Sequence, residues 1–155
     1  MEEELDRAVR LHLRGDVEVA LSLSAGLDSN LLRSLISALR RGETPQRCYT
    51  YCFPGTPYDE GARVERFLNG DPGWKLTKTD VVAERLLDEL DTLVVQAEEP
   101  IGGLGIYGYW KNARTVSADR VKVLLDGQGA DEVFAGYKYY YGLRLGQLAA
   151  EGREA

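Results

Sequence analysis

Hydrophobic positions along the chain switch repeatedly between a helical and a strand-like period. Leu5, Ala8, Val9 and His12 fall three and four residues apart, which predicts an amphipathic helix over about 3–14 that ends at Gly15. Val17 to Leu23 is a short apolar run that predicts a strand stopping at Ser24-Ala25-Gly26. Leu31, Leu32, Leu35, Ile36 and Leu39 share one stripe of a helix over about 28–41, closed by Gly42. A second strand is predicted over about 47–53, followed by the loop Pro54-Gly55-Thr56-Pro57 and a short helix over about 59–68. Asn69-Gly70-Asp71-Pro72-Gly73 is turn chemistry, and a short strand follows from Trp74 to Thr77. Val82, Leu86, Leu90, Leu93, Val94 and Ala97 mark a long helix ended by Glu98-Glu99-Pro100. After the glycine-rich stretch 101–105, Ile106, Tyr109, Trp110, Ala113 and Ser117 suit another helix. A fourth strand, Val121 to Leu125, breaks at Asp126-Gly127-Gln128-Gly129-Ala130, and a last helix carries Val133, Phe134 and Tyr137 on its apolar side.

Strands alternating with helices predict an α/β fold, a doubly wound parallel sheet with helices on both faces. No repeat and no dividing linker interrupts the pattern, so residues 1–155 are expected to form a single domain. In such sheets ligands bind at the carboxyl ends of the strands, where strand order reverses. The strand-to-helix turns are therefore where chemistry is expected.

Charge and composition narrow the classes. The 19 Lys and Arg against 25 Asp and Glu give a formal charge of −6, and no basic run offers a track for a nucleic-acid backbone. No apolar stretch approaches the roughly 20 residues that span a bilayer, and Met1 is followed by three glutamates, so no membrane partner and a cytoplasmic location are expected. Cys48 and Cys52 with the lone His12 far away cannot build a Cys₄ or Cys₂His₂ zinc site. The two thiols fall on one strand face and read as reduced core residues, and His12 as an ordinary residue of its helix.

Two turns carry candidate chemistry. Ser24-Ala25-Gly26-Leu27-Asp28-Ser29 follows the first strand with a glycine that allows positive φ and close backbone approach, two hydroxyls and a helix start, the ingredients of an anion cradle. It has neither the Gly-Lys-Ser/Thr ending of a Walker loop nor the dinucleotide glycine spacing. Asp126-Gly127-Gln128-Gly129-Ala130-Asp131-Glu132 follows the fourth strand. Each turn also has a plain structural reading, in which Asp28 or Ser29 caps one helix and Asp131 the other. If the two strands flank the reversal point, Asp28 and Asp131 face one crevice, where a hard divalent cation could link them to phosphate oxygens.

The first of these turns resembles the Ser-Gly-Gly-x-Asp-Ser pyrophosphate loop of the N-type ATP pyrophosphatases. The second, Leu124 through Tyr137, resembles the signature of the synthetase domain of glutamine-dependent asparagine synthetases and the related β-lactam synthetases. The likeness runs in order from about Ala8 to Tyr141, including Phe53 to Pro57 and Glu98-Glu99-Pro100. It implies an adenine nucleotide alpha hydrolase-like fold in which Ser24, Gly26, Asp28 and Ser29 hold the ATP phosphates. It further implies that Asp28 and Asp131 bind Mg²⁺ and that Leu23, Tyr51 and Gly127 line the adenosine site. The implied reaction is attack of an aspartate-like carboxylate on the α-phosphorus with release of pyrophosphate, then displacement of AMP by ammonia.

The sequence departs from that pattern in four places. Ala25 replaces the first loop glycine. Gln128 stands where many members have Glu; an amide there can orient a substrate but cannot take a proton from ammonia. Glu2 stands where the family's glutaminase domain exposes its Cys, and both that domain and the helical region that completes the acceptor site are expected to be missing. The expectation is thus an ATP-dependent asparagine synthetase-like ligase domain, its small-molecule substrates being ATP, a carboxylate acceptor and ammonia. The alternative is a noncatalytic nucleotide-binding remnant or interaction module. A homodimer or complementing chain, docking near Phe134 and Tyr137 to Tyr141, could supply a missing wall.

Overall fold

The computed structural model describes residues 1–40 and 44–153. Its elements are α1 Glu2–His12, β1 Val19–Ser22, α2 Leu27–Leu39, β2 Gln46–Cys52, α3 Gly61–Leu68, β3 Trp74–Asp80, a 3₁₀ turn Ala83–Arg85, α4 Leu86–Ala97, α5 Leu104–Ala118, β4 Val123–Leu125, α6 Ala130–Phe134 and α7 Lys138–Ala150. The residues Arg41 and Gly42, expected to close the second helix, lie outside the described residues.

All four strands are parallel and stand in the order β3-β2-β1-β4. The chain moves one way from β1 to β2 and β3, then returns to place β4 on the other side of β1. The reversal point thus falls between β1 and β4, where Leu21 pairs with Leu125, and the loops leaving these two strands emerge side by side. Helices cover both faces, as the alternation of elements predicted. On one face, Val9, Ile36, Val64 and Leu68 pack with Leu21, Leu23, Cys48 and Trp74. On the other, Val116 and Val121 meet Ala20 and Tyr49, and Leu93, Tyr107 and Trp110 form an adjoining cluster with Val81. Each fully buried Leu, Ile or Val contributes on the order of 1.5–3 kcal/mol, so these two cores fix the sheet on which the site is built.

Three boundaries differ from the sequence reading, each for a local reason. β3 runs on to Asp80 rather than ending at Thr77; its polar run conceals a buried Thr79 whose hydroxyl donates to Thr115 Oγ1 at 2.8 Å. β4 begins at Val123 because Arg120 turns left-handed at φ 61° and the Val121 N–H closes α5 on Val116 O. The expected last helix is two, broken at Ala135, which also adopts a left-handed conformation, with Gly136 N–H bonded to Asp131 O at 2.9 Å.

His12 sits exposed near the end of α1, its Nδ1 2.8 Å from Ala8 O. Cys48 and Cys52 are free and buried. Burial pushes their thiols up to about 12 and about 11, which leaves both protonated and unreactive. No helix among the described residues is long and apolar enough to cross a membrane.

Candidate nucleotide cleft

The first turn folds on itself through its hydroxyls. Ser29 Oγ accepts the Ser24 N–H at 3.1 Å and lies 3.0 Å from Ser24 Oγ, which in turn accepts the Gly26 N–H at 3.1 Å. Asn30 Nδ2 donates to the carbonyls of Ser24 and Gly26 at 3.1 and 2.8 Å. Ser29 is buried. The turn is therefore a braced, rigid loop, the form a preorganised site requires. Of the two roles open to a glycine here, Gly26 does not use positive φ: it is extended at φ −76° and ψ 161°. Its lack of a side chain serves close packing instead, since a Cβ there would sit 3.2 Å from Ser24 Oγ. Ala25, in place of a family glycine, has no left-handed backbone to accommodate either.

The second turn meets the first at Gly127. A Cβ on this residue would lie 3.1 Å from both Asp28 Cβ and the Ser29 backbone nitrogen, so only glycine lets the β4 loop ride over the start of α2. Asp126 holds the turn: Oδ1 accepts the Gln128 N–H at 3.0 Å and Oδ2 accepts the Tyr109 hydroxyl at 3.1 Å. Asp131 is seated against Gly136, where a Cβ would come within 1.9 Å of its Oδ1.

The capping roles suggested for these residues are not adopted. The N-cap positions of α2 and α6 are Gly26 and Gly129, and neither helix start takes a side-chain cap. Among the described residues, the carboxylates of Asp28 and Asp131 have no hydrogen-bond or ion-pair partner. Both line one cleft of about 410 Å³ at the carboxyl ends of the strands.

That cleft gathers every residue the sequence singled out: Leu23, Ser24, Gly26, Asp28, Ser29, Tyr51, Gly127, Gln128 and Asp131. Asp126 of the second turn and Phe53 of the matched β2 loop also line it, as do Thr50, Tyr58, Glu60 and Tyr109, which were not anticipated. Phe53, Tyr58 and Glu60 belong to the loop that leaves β2, at the same carboxyl edge, so the rule that placed the site could have found them. Tyr109 comes from α5 and only the folded arrangement brings it in. Tyr51 and Phe53 meet edge to face at 5.8 Å. Burial, reinforced by the charge of Glu60, raises the Tyr51 phenol above its ordinary range; burial and then Asp126 do the same for Tyr109.

The donor set suits a hard cation shared with phosphate. Mg²⁺ takes oxygen ligands and is held by one or two carboxylates together with substrate phosphates and waters, not by an all-protein cage. Two unpaired carboxylates on opposing loops match that pattern. Among the described residues no cluster of three or more His, Cys, Asp or Glu forms a self-sufficient metal site.

The family model described as Asparagine synthase matches residues 1–153. The chain is 33% identical over 150 residues to the amidase chry2 of Gibberella zeae, an alignment covering 87% of this chain and 22% of that protein. It is 30% identical over 151 residues to the amidase chyE of Penicillium rubens, again covering 87% and 22%. It is 25% identical over 159 residues to the glutamine-hydrolyzing asparagine synthetase B of Escherichia coli, covering 91% and 27%. The chain thus spans about a quarter of the length of these curated relatives.

Proposed function

The chain belongs to the asparagine synthase family, and from that premise we propose that its cleft binds ATP as a magnesium complex and activates a carboxylate by adenylation. The observation that carries this reading is the convergence of two unpaired carboxylates, Asp28 and Asp131, from opposing loops onto one braced anion cradle.

In this reading the Ser24 to Ser29 loop receives the β- and γ-phosphates, Asp28 and Asp131 hold Mg²⁺, and Leu23, Tyr51 and Gly127 border the adenosine. Bound there, Mg²⁺ would neutralise charge on the departing pyrophosphate. The residues of the chain position and stabilise. The hydroxyl-braced loop keeps its donors fixed, so little reorganisation is needed as negative charge builds on the leaving group. The acceptor carboxylate attacks the α-phosphorus, the bond to the bridging oxygen breaks, and pyrophosphate leaves with that electron pair; ammonia then attacks the acyl carbon and displaces AMP. Gln128, which lines the cleft, donates its side-chain amide N–H to an acceptor oxygen and does not serve as a base. The relatives carry different names, amidase and asparagine synthetase, so the acceptor is kept at the level of a carboxylate.

Calorimetric titration with ATP and Mg²⁺ tests the reading. The wild-type chain binds, with affinity down to roughly 1 mM for so open a site. Asp28→Asn and Asp131→Asn lose at least about tenfold, a difference of roughly 1.4 kcal/mol, while their melting temperatures stay near wild type. Unchanged nucleotide affinity in both variants would show that neither carboxylate holds the metal. Release of pyrophosphate from ATP only in the presence of a carboxylate separates the adenylating enzyme from a binding module.

A further inference from the structure

The phosphate loop is satisfied from within at two of its first three amides: Ser24 N–H goes to Ser29 Oγ and Gly26 N–H to Ser24 Oγ. The amide between them is different. Ala25 N–H donates to Glu60 Oε2 at 3.0 Å, a carboxylate reaching across from the far side of the cleft, 35 residues along the chain. We propose that Glu60 is an internal stand-in for a phosphate oxygen, holding the Ala25 amide and giving it up to an entering polyphosphate. The proposal rests on the reading of the cleft as a nucleotide site and adds a residue that sets its affinity.

Three observations support displacement over permanent bracing. Glu60 already has a second partner, since Oε1 accepts from Arg63 Nη2 at 2.7 Å. Release from Ala25 therefore leaves its charge paired, at the cost of one hydrogen bond. The segment carrying Glu60 is fastened by its own turns, Thr56 N–H to Phe53 O at 3.1 Å and Asp59 N–H to Thr56 O at 3.2 Å, and does not need the Ala25 contact to keep its shape. Finally, the residues that line the cleft include four carboxylates, Asp28, Glu60, Asp126 and Asp131, and neither Lys nor Arg. One N–H cannot serve both a phosphate oxygen and the Glu60 carboxylate, so the two compete for it. The charge of Glu60 reaches the cleft floor, where it adds to burial in raising the Tyr51 phenol.

The experiment is a titration of the full chain with magnesium pyrophosphate in wild type, Glu60→Gln and Glu60→Ala. It is read by calorimetry and by the Ala25 amide resonance in proton–nitrogen correlation spectra. Glu60→Ala binds about tenfold more tightly than wild type, the factor for a competing charged hydrogen bond. Glu60→Gln, whose neutral oxygen can still accept from Ala25, gains less. The Ala25 resonance differs among the three free forms and converges when each is saturated. If wild type binds and both variants bind equally or more weakly, Glu60 is a brace and the proposal is overturned. If none of the three binds pyrophosphate, the cleft is not a phosphate site and both readings fall together.

Discussion

Ala135 stands at φ 56° between α6 and α7, a conformation that costs an L-residue roughly 1–2 kcal/mol. Its neighbour Gly136 is held close by Asp131, so the turn cannot relax without disturbing a carboxylate of the cleft. Ala135→Gly should raise stability by roughly 0.5–1 kcal/mol, the relief of strain exceeding the added freedom of the unfolded chain. That corresponds to about 2–4 °C in melting temperature for each kcal/mol. A lower melting temperature would show that the turn is not strained as its backbone angle implies. Glycines show where residue-level reading succeeds and where it stops. At Gly26 the sequence allowed either positive φ or close backbone approach, and the structure uses the second; at Gly127 the close neighbours, Asp28 and Ser29, belong to the other turn, which the local sequence does not reveal.

Between elements, two contacts set how the helices frame the cleft. α5 lies against β2 at Gly108, where a Cβ would fall 2.7 and 2.8 Å from two carbons of the Tyr51 ring. Gly108→Ala forces that ring to move and should destabilise the fold by roughly 1–3 kcal/mol, the usual range for overpacking. Because Tyr51 lines the cleft, nucleotide affinity should fall as well; unchanged affinity would remove Tyr51 from the adenosine site. Away from the cleft, Glu89 of α4 accepts hydrogen bonds from two partners on α5, the Tyr107 hydroxyl at 2.5 Å and Lys111 Nζ at 2.9 and 3.0 Å to its two oxygens. The Tyr107 hydrogen bond, then Lys111, hold the Glu89 carboxyl below its ordinary 4.5. A depressed folded value means stability that is complete above 4.5 and is lost as pH falls through the lower folded value. Glu89→Gln should therefore destabilise the chain by roughly 1–2 kcal/mol at neutral pH, with the difference from wild type shrinking below that point. Urea denaturation at pH 7 and pH 3 measures both; a gap that persists unchanged at pH 3 would refute an ionic role. Element-level reading failed mainly where polar residues are buried. Thr79 looks like loop sequence because its partner, Thr115, lies 36 residues away.

At the scale of the molecule, the alternation of strands and helices was enough to place the site, because a doubly wound sheet has few positions for a ligand and the two glycine turns coincide with its reversal point. What the alternation could not supply was Tyr109, brought to that edge from α5; Tyr58 and Glu60 lie on the loop leaving β2, where the same edge rule points. Which side chains of that loop reach the cleft depends on how it folds over the sheet and not on any local period. If the two turns form one metal-linked phosphate site, a crystal structure of the chain with Mg²⁺ and a non-hydrolysable ATP analogue will show phosphates on the Ser24 to Ser29 loop, a metal ion between Asp28 and Asp131, the nucleoside against Leu23, Tyr51 and Gly127, and Glu60 withdrawn from Ala25. Nucleotide density elsewhere on the molecule, or a metal bound away from both aspartates, would contradict it.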